Sequence, residues 1–407
     1  MPSNTTFVIV GASLAGAKAA EQLRTDGFDG RIVLIGEEQV RPYERPPLSK
    51  DYLRGETGFD DAAVHAEDFY GAQDIELLTS TKVVGLEVAA RELTLAQGGT
   101  LRYDRLLLST GATPTRLTSP GADLAGIHYL RSVADADALR GAIARSKRVV
   151  VVGGGWIGAE VAASARQMGA EVALIAPGRQ LFERVLGDEV GALFTALHAE
   201  HGIELHMGRG VTAFRGDSAF EAVTLTDGAE VEGDLAVVGI GVTPRVELAE
   251  AAGLAVDNGV LVDEHLETSA PGIFAAGDVA NAYHPLFATR IRLEHWSSAL
   301  NQGPVAAKNM LGGAVVYDRV PYFYSDQFDL GLEYNGHAPE WDRIVYRGDP
   351  DRREMIVFWL LSGRVVAGMN VNVWDVSDDI ASLVASPGPV DPALLADPAV
   401  ALTSLVR

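Results

Sequence analysis

Two glycine-rich loops, each directly after an apolar strand, constrain the fold of this chain more than any other feature. Phe7–Val10 leads into Gly11-Ala-Ser-Leu-Ala-Gly16, and Val149–Val152 leads into Gly153-Gly-Gly-Trp-Ile-Gly158. A helical pattern and a second apolar strand follow each loop, so the sequence predicts two βαβ units with parallel strands. A backbone without Cβ can approach a pyrophosphate, whose charge is held at a helix N-terminus. Two such units predict two dinucleotide sites.

The chain of 407 residues exceeds one ordinary hydrophobic core and is predicted to form three domains. Residues 1–111 and 242–320 are assigned to a discontinuous first dinucleotide-binding domain, and residues 112–241 to the second. From Tyr322 the pattern changes to alternating strands followed by helical segments, which predicts a C-terminal domain over residues 321–407. The predicted fold class is α/β, with two Rossmann-like dinucleotide-binding domains plus an α+β C-terminal domain.

Composition excludes several classes of function. The chain has no cysteine, which excludes disulfides, thiolate metal sites and a redox-active dithiol, and no metal site is predicted. The formal net charge of −22 argues against a nucleic-acid partner. No apolar run is long enough for a membrane span, and the N-terminus lacks the basic segment of a signal peptide. We therefore expect a cytoplasmic protein.

The second strands of the two βαβ units end in different kinds of residue. Glu37 follows the first glycine loop at the spacing of an acid that binds the adenosine ribose, although Ser13 replaces the middle glycine of that loop. The second loop keeps all its glycines, but Ala176 stands where an acid would bind the ribose of NADH. Arg179 and Arg184 lie close enough in sequence to meet a 2′-phosphate. Both NADH and NADPH stay open as donors.

Seven motifs in order along the chain resemble one family, the flavin-dependent ferredoxin reductases that serve bacterial dioxygenases and haem monooxygenases. This family is a branch of the glutathione-reductase-like superfold. The motifs are Arg45-Pro-Pro-Leu-Ser-Lys50, Leu108-Ser-Thr-Gly-Ala112, Gly153–Glu160, Val238-Gly-Ile-Gly-Val-Thr-Pro244, Ile273–Asp278, Leu293-Glu-His-Trp296 and Pro321-Tyr-Phe-Tyr-Ser-Asp-Gln327. Tyr324 departs from the family, which often has tryptophan there. The resemblance implies an enzyme that passes hydride from NAD(P)H, with NADH favoured, to bound FAD. Single electrons then go to a [2Fe-2S] ferredoxin of an oxygenase system.

The resemblance also assigns site residues. It implies that Lys50 lies beside the isoalloxazine, that Glu160 pairs with it, and that Trp296 lies near the ring on the path to the partner; these three are the candidate catalytic residues. The implied FAD-binding positions are Gly11, Ser13, Leu14, Ala15, Gly16, Glu37, Arg45, Lys50, Val83, Thr110, Gly111, Arg131, Gly277, Asp278, Glu294, His295 and Trp296. The implied nicotinamide-binding positions are Gly153, Gly155, Trp156, Ile157, Gly158, Glu160, Arg179, Arg184 and Gly241.

Two other functions remain compatible with these residues. One is a flavoprotein that reduces a quinone, oxygen or a rubredoxin directly. The other is a signalling flavoprotein similar to apoptosis-inducing factor. For a ferredoxin partner, a local basic patch near Trp296 is predicted, because an acidic protein docks on basic charge. Its candidate members are Arg290, Arg292, Lys308 and Arg319.

Overall fold

The structure, a computed structural model, describes residues 5–406 and divides into two compact units. The first contains the described residues up to Glu44, Phe59–Thr113 and Thr243–Phe323. The second contains Arg45–Gly58, Pro114–Val242 and the described residues from Tyr324 onwards. The division into three domains stays a prediction. Its boundaries differ from the two units, notably at Arg45–Gly58, and residues 1–4 and 407 lie outside the described chain.

The elements follow in chain order. Up to the first passage between units they are β1 (Thr6–Val10), α1 (Leu14–Thr25), β2 (Arg31–Ile35), α2 (Asp51–Arg54), α3 (Phe59–Ala62), α4 (Phe69–Ala72), β3 (Ile75–Leu78), β4 (Val83–Glu87), β5 (Glu92–Leu95), β6 (Thr100–Arg102), β7 (Arg105–Leu108) and β8 (Ala112–Pro114). Up to the return passage they are β9 (Ile127–His128), α5 (Val133–Ile143), β10 (Arg148–Val152), α6 (Trp156–Gln167), β11 (Glu171–Ala176), α7 (Glu183–Glu200), β12 (Glu204–Met207), β13 (Val211–Arg215), β14 (Ala222–Leu225), β15 (Glu230–Glu232), β16 (Leu235–Val238) and β17 (Val242–Pro244).

The remainder of the described chain contains α8 (Glu247–Ala251), β18 (Val260–Val262), β19 (Ile273–Ala275), β20 (Ala280–His284), β21 (Thr289–Ile291), α9 (Trp296–Met310), β22 (Tyr322–Gln327), β23 (Leu330–Gly336), β24 (Arg343–Asp349), β25 (Glu354–Leu361), β26 (Arg364–Val371), α10 (Ser377–Ala385) and α11 (Pro392–Ala396). Short 3₁₀ turns occupy Pro46–Ser49, Gly277–Val279 and Leu402–Leu405.

The first unit is built on a parallel sheet in the order β19-β7-β1-β2-β3. Its strands are nearly continuous apolar runs because helices and loops cover both faces of a parallel sheet; Val8 and Ile9 in β1 are fully buried. Helix α9 packs closely on α1 at Gly303, where a Cβ would collide with the carbonyl of Ala15. The carboxyl end of β1 and the start of α1 are therefore held firmly.

The second unit repeats this plan with a parallel sheet in the order β12-β11-β10-β16-β9. The antiparallel strands β13, β14 and β15 cover one side, and Phe214 and Phe220 belong to the same core as Val150 and Ile175. From Tyr324 the chain contributes to an antiparallel sheet in the order β22-β23-β26-β25-β24, followed by α10 and α11. The predicted α/β fold class, with two Rossmann-like domains and an α+β C-terminal domain, is confirmed.

No helix within residues 5–406 combines the length and the apolarity needed to cross a bilayer.

Candidate functional site

The first glycine loop begins where β1 ends. Gly11 has φ +121°, and a Cβ there would collide with the backbone carbonyl of Ser109, so only glycine fits this turn. Ser13 is the N-cap residue of α1, but within the described chain its side chain makes no capping hydrogen bond. The first N–H groups of α1 therefore keep their capacity to bind an anion at the positive end of the helix dipole.

Arg245 links three of the predicted FAD-binding positions. Its guanidinium forms a two-pronged ion pair with Glu37, in which Nη2 lies 2.9 Å from Oε2. The Arg245 N–H donates to the carbonyl of Gly111 at 2.9 Å, and Thr110 Oγ1 donates to the carbonyl of Arg245 at 2.8 Å. Sequence reasoning missed Arg245, although it directly follows the motif that ends at Pro244.

The third motif lies against the start of α1. Gly277 has φ +77°, and a Cβ at this position would stand 3.3 Å from the Cβ of Ala15. Its N–H donates to Gln302 Oε1 at 2.8 Å, which ties the motif to α9. Asp278 follows in the same 3₁₀ turn and is only partly buried. The structure thus brings Ala15, Gly277 and Asp278 to one region of the first unit.

Trp296, the first residue of α9, is half-buried. The ring of its neighbour His295 lies 4.7 Å from the ring of Phe323. Burial raises the pKa of the Glu44 carboxyl, and a hydrogen bond from Trp296 and the charge of Lys18 oppose that rise. Glu44 was not predicted, because a lone carboxyl before the Arg45 motif carries no signal in sequence.

The basic residues predicted near Trp296 differ in their surroundings. Arg290, Lys308 and Arg319 are exposed, whereas Arg292 Nη2 forms an ion pair with Glu294 Oε1 at 2.8 Å. Arg292 is therefore partly neutralised, and Glu294 contacts this cation.

The second glycine loop repeats the geometry of the first. Gly153 has φ +127° and lies against the carbonyl of Gly239, and Gly158 lies against the carbonyl of Gly153. Gly155 differs, because its φ of −89° suits any residue and a Cβ there would meet nothing within 4 Å. No packing requirement explains this glycine, so the open space in front of it is suited to the close approach of a ligand.

An aromatic cluster stands beside this loop. The ring of Trp156 stacks on that of Phe182 at 4.0 Å, while Ile157 on the adjacent face of α6 is 43% exposed. Gly241 lies in the connection between β16 and β17 and has φ +107°. Its carbonyl accepts a hydrogen bond from the N–H of Thr115 at 2.9 Å.

The end of β11 presents a cation that is already paired. Ala176 is buried and ends the strand. Arg179 Nη2 lies 3.0 Å from Glu183 Oε1 and 3.5 Å from Asp188 Oδ1, and the Arg179 N–H donates to Glu183 at 2.7 Å. These contacts lower the pKa of the Glu183 carboxyl, chiefly through the hydrogen bond from the Arg179 backbone. Arg184 is exposed in the first turn of α7.

Lys50 and Glu160 form a buried ion pair in the second unit. Lys50 Nζ lies 3.0 Å from Glu160 Oε2, and the two side chains are 8% and 4% exposed. Ser49 Oγ donates to the same carboxylate oxygen, and Ser325 Oγ donates to Oε1 at 2.7 Å. The predicted pairing is present in the structure. Three donors around one carboxylate compensate the desolvation of its charge.

Arg45 and Arg131 also meet in the second unit. Arg45 Nη1 donates to the carbonyl of Arg131. The Arg131 N–H donates to Asp135 Oδ2 at 3.2 Å, and Asp135 forms a capping box with Ser132 at the start of α5. The backbone of Arg131 is thereby anchored on both sides.

The predicted site residues divide between the two units. Residues of the first unit are Gly11, Ser13, Leu14, Ala15, Gly16, Glu37, Val83, Thr110, Gly111, Gly277, Asp278, Glu294, His295 and Trp296. Residues of the second are Arg45, Lys50, Arg131, Gly153, Gly155, Trp156, Ile157, Gly158, Glu160, Arg179, Arg184 and Gly241. Val83 begins β4 and is half-buried, at a distance along the chain from both glycine loops.

Comparison with known proteins shows which family contains this chain. Residues 5–303 match the family described as pyridine nucleotide-disulphide oxidoreductase, and residues 322–406 match the reductase C-terminal domain. The chain is 43% identical to the anthranilate 1,2-dioxygenase system ferredoxin–NAD(+) reductase component of Burkholderia cepacia, over 98% of this chain and 99% of the relative. It is 36% identical to putidaredoxin reductase CamA of Pseudomonas putida, over 100% of this chain and 98% of the relative.

A solved structure agrees with these matches. The covalent putidaredoxin reductase–putidaredoxin complex gives a TM-score of 0.96 at 36% identity, covering 99% of this chain and 98% of the reductase chain. The chain belongs to the pyridine nucleotide-disulphide oxidoreductase family. It is an FAD-dependent NAD(P)H oxidoreductase, and its cofactors are FAD and a nicotinamide nucleotide.

The residues present fit two dinucleotides. Each glycine loop leads into a helix, and within the described chain neither helix start is capped by a side chain, so its first N–H groups can bind a phosphate. The open space at Gly155 leaves room for a phosphate against the backbone. Glu37 supplies carboxylate oxygens at the end of β2, where ribose hydroxyls are recognised in this fold.

Proposed function

We propose that this chain is the reductase component of an oxygenase system, which passes hydride from a nicotinamide nucleotide to FAD and single electrons to a [2Fe-2S] ferredoxin. The observation that carries the proposal is the presence of two dinucleotide loops in a chain without cysteine. Disulfide reductases pass electrons through a dithiol, which this chain lacks. Electrons must therefore leave from the flavin, and similarity over the full chain to relatives named as ferredoxin reductases supports a ferredoxin as acceptor.

The redox chemistry belongs to FAD, which accepts two electrons as a hydride and releases them one at a time. The residues of the chain bind and orient. In this proposal the first glycine loop and α1 hold the FAD pyrophosphate, while Glu37, held by Arg245, accepts hydrogen bonds from the ribose. Lys50 supplies a cation beside the ring, and Glu160 keeps that cation in place. Arg45, Val83, Arg131, Asp278 and Trp296 are the proposed further FAD contacts.

The charges at the end of β11 support NADH as the donor. Arg179 is the cation nearest in sequence to Ala176, and it is shared between Glu183 and Asp188. A 2′-phosphate would have to displace these carboxylates or stand beside them, and like charges repel. The ribose hydroxyls of NADH impose no such repulsion. The names of relatives that specify NAD(+) agree with this choice.

Stopped-flow reduction of the holoenzyme by NADH and by NADPH, followed by turnover with a purified [2Fe-2S] ferredoxin, tests the proposal. We expect rapid bleaching of the flavin by NADH, slower bleaching by NADPH, and efficient reduction of the ferredoxin. Faster turnover with a quinone, oxygen or a rubredoxin than with the ferredoxin would contradict the proposed acceptor. A long-lived complex with nicotinamide and slow reoxidation would point instead to a signalling flavoprotein.

A further inference from the structure

A line of buried polar side chains leads from the Lys50–Glu160 pair to His198, within the second unit. Ser325 Oγ lies 2.7 Å from Glu160 Oε1, and Gln327 Nε2 lies 3.0 Å from Ser325 Oγ. His198 Nε2 lies 2.8 Å from Gln327 Oε1. Ser325 and Gln327 are each 1% exposed and His198 is 0% exposed. Polar groups at this depth require partners, and these residues supply them to one another.

The negative charge of Glu160 sets the direction of every hydrogen bond in this line. An ionised carboxylate only accepts, so the hydroxyl of Ser325 must donate to it. Ser325 Oγ then accepts from the Gln327 amide nitrogen, which turns the Gln327 amide oxygen toward His198. That oxygen needs a donor, so His198 must carry a proton on Nε2.

His198 is suited to this role because it is neutral at ordinary pH. Burial lowers its pKa to about 4, the nearby charge of His201 acts in the same direction, and the hydrogen bond to Gln327 opposes them. Its Nδ1 atom is buried and has no hydrogen-bond partner among residues 5–406. A neutral ring with the proton on Nε2 leaves Nδ1 as an unprotonated acceptor, which is less costly to bury than an unpaired donor with a positive charge.

We propose that Ser325 and Gln327 are positioning residues that orient the Glu160 carboxylate, and through it Lys50, with His198 as the anchor at the far end of the line. Ser325 engages Oε1, so Oε2 faces Lys50 and Ser49. The carboxylate is held from both sides and cannot rotate without breaking a charge-assisted hydrogen bond. What Lys50 does for the flavin rests on the proposed function, whereas the direction of the line rests on geometry alone.

Nuclear magnetic resonance of the holoenzyme labelled with ¹⁵N-histidine tests the direction of the line. The protein contains nine histidines, and loss of one signal in His198→Gln assigns His198. At pH 7 we expect a neutral ring with the proton on Nε2. A ring protonated on Nδ1 alone, or on both nitrogens, would overturn the proposal, and this measurement requires no variant other than the one used for assignment.

Glu160→Gln provides a sharper test, because its effect on His198 must travel through two intervening side chains. The Lys50 ammonium only donates, so the carbonyl oxygen of the new amide faces Lys50 and its NH₂ group faces Ser325. Ser325 can then donate toward Gln327, and the Gln327 amide can reverse. We expect a measurable population of His198 with the proton on Nδ1. An unchanged His198 spectrum would show that Glu160 does not set the direction.

The kinetic consequence is tested with Ser325→Ala, with Ser325→Thr as the variant that keeps a hydroxyl. We expect the limiting rate of flavin reduction by NADH to fall about 10-fold in Ser325→Ala, with the donor dissociation constant unchanged, and to recover in Ser325→Thr. Ser386→Ala removes another buried serine hydroxyl from the same unit and should leave this rate unchanged. Equal rates in wild type and Ser325→Ala would remove the positioning role.

The two kinds of readout separate this proposal from the proposed function. The tautomer of His198 needs neither hydride donor nor electron acceptor. Suppose that the holoenzyme fails to reduce a ferredoxin, while His198 carries its proton on Nε2 and its spectrum changes in Glu160→Gln. The proposed function would then be wrong, and the positioning role of Ser325 and Gln327 would be supported. Normal ferredoxin reduction, with a His198 spectrum that is unchanged in Glu160→Gln, would support the proposed function and overturn the positioning role of Ser325 and Gln327.

Discussion

The Lys50 ammonium lies 3.0 Å from the Glu160 carboxylate in the protein interior, although 110 residues separate them in the chain. The segment that contains Lys50 and the helix that contains Glu160 belong to the same compact unit. Ser164, one turn further along α6, strengthens this association by donating to the carbonyl of Ser49 at 2.7 Å. The Lys50 cation is thus held by the unit that carries the second glycine loop.

Glu160→Gln should slow hydride transfer and lower stability together. The change removes the carboxylate that pairs with the buried Lys50 charge, at an expected cost of about 3 kcal/mol in the free energy of unfolding. We expect flavin reduction by NADH to slow between about 10- and 100-fold. Stopped-flow spectroscopy and urea unfolding measure the two effects. Glu171→Gln, which changes an exposed acid of the same unit, is the control, and equal behaviour of the two variants would refute the role of Glu160.

Glu183→Gln should weaken the discrimination against NADPH. It removes one of the two carboxylates that share Arg179, so that the guanidinium can meet a 2′-phosphate. We expect the ratio of kcat/KM for NADPH to that for NADH to rise about 3- to 10-fold, which corresponds to about 1 kcal/mol. Glu200→Gln, which removes an exposed partner of Arg353, should leave this ratio unchanged.

Arg245→Ala should weaken FAD binding. Without the guanidinium the Glu37 carboxylate loses a two-pronged ion pair, whereas the backbone contacts of residue 245 with Thr110 and Gly111 are kept in the alanine variant. We expect the dissociation constant of FAD to rise about 10-fold, measured by flavin fluorescence during titration of the apoprotein. Arg102→Ala, which removes an 83% exposed arginine of the same unit, is the control. Identical affinities in the two variants would rule out this role of Arg245.

His198 should make the protein less stable as the pH falls. Its pKa is about 4 in the folded chain and about 6.5 when unfolded, so the unfolded state binds more protons between these values. The resulting loss of stability is absent well above pH 6.5, increases as the pH falls, and reaches its full size below pH 4. It amounts to about 2 kcal/mol at pH 5 relative to pH 7.5.

Urea unfolding of wild type and His198→Gln at pH 5 and pH 7.5 isolates this contribution, since other groups titrate equally in both proteins. We expect the variant to lose about 2 kcal/mol less than the wild type on acidification. Equal losses would show that His198 does not contribute to the pH dependence.

Reduction of the ferredoxin should slow as salt rises. Arg290, Lys308 and Arg319 are exposed in the first unit of a chain whose net charge is −22, so their charges are available to an acidic partner. Steering by such charges is screened over about 10 Å at 0.1 M salt. We expect a fall of about 10-fold in the second-order rate constant between 0.02 and 0.5 M salt. Lys308→Gln should reduce that slope, and a flat response in wild type would eliminate the steering role.

Much of the fold was predictable because the signals are local. The apolar run Arg31–Ile35 and the glycine loops specify strands, turns and helix starts within a few residues, and the parallel sheets follow from the βαβ order. The C-terminal strands around Met355–Leu361 and Val365–Val373 were readable from the same alternation and differ from β25 and β26 by one or two residues at their ends.

The partners of the candidate site were harder to predict, because they meet across long stretches of chain. Ser325 and Gln327 lie in a motif that the sequence singled out, but nothing in it shows that their side chains point to Glu160 and His198. Arg245 is separated from Glu37 by 208 residues. The Lys50–Glu160 pair was predicted only through resemblance to a family, since burial of both charges is a property of packing rather than of spacing.

Gly187, with φ +84°, interrupts helix α7, and the indole N–H of Trp359 donates to the carbonyl of Leu186 at 3.2 Å beside that break. Trp359 is fully buried in β25. At its break, helix α7 therefore accepts a hydrogen bond from a side chain that lies more than 170 residues later in the chain. Cutting the chain before Pro321 would remove this hydrogen bond, at a cost of about 1–3 kcal/mol in the free energy of unfolding. The last segment thus stabilises the unit that carries the second glycine loop, and a chimaera of related reductases keeps this contact only if both parts are exchanged together.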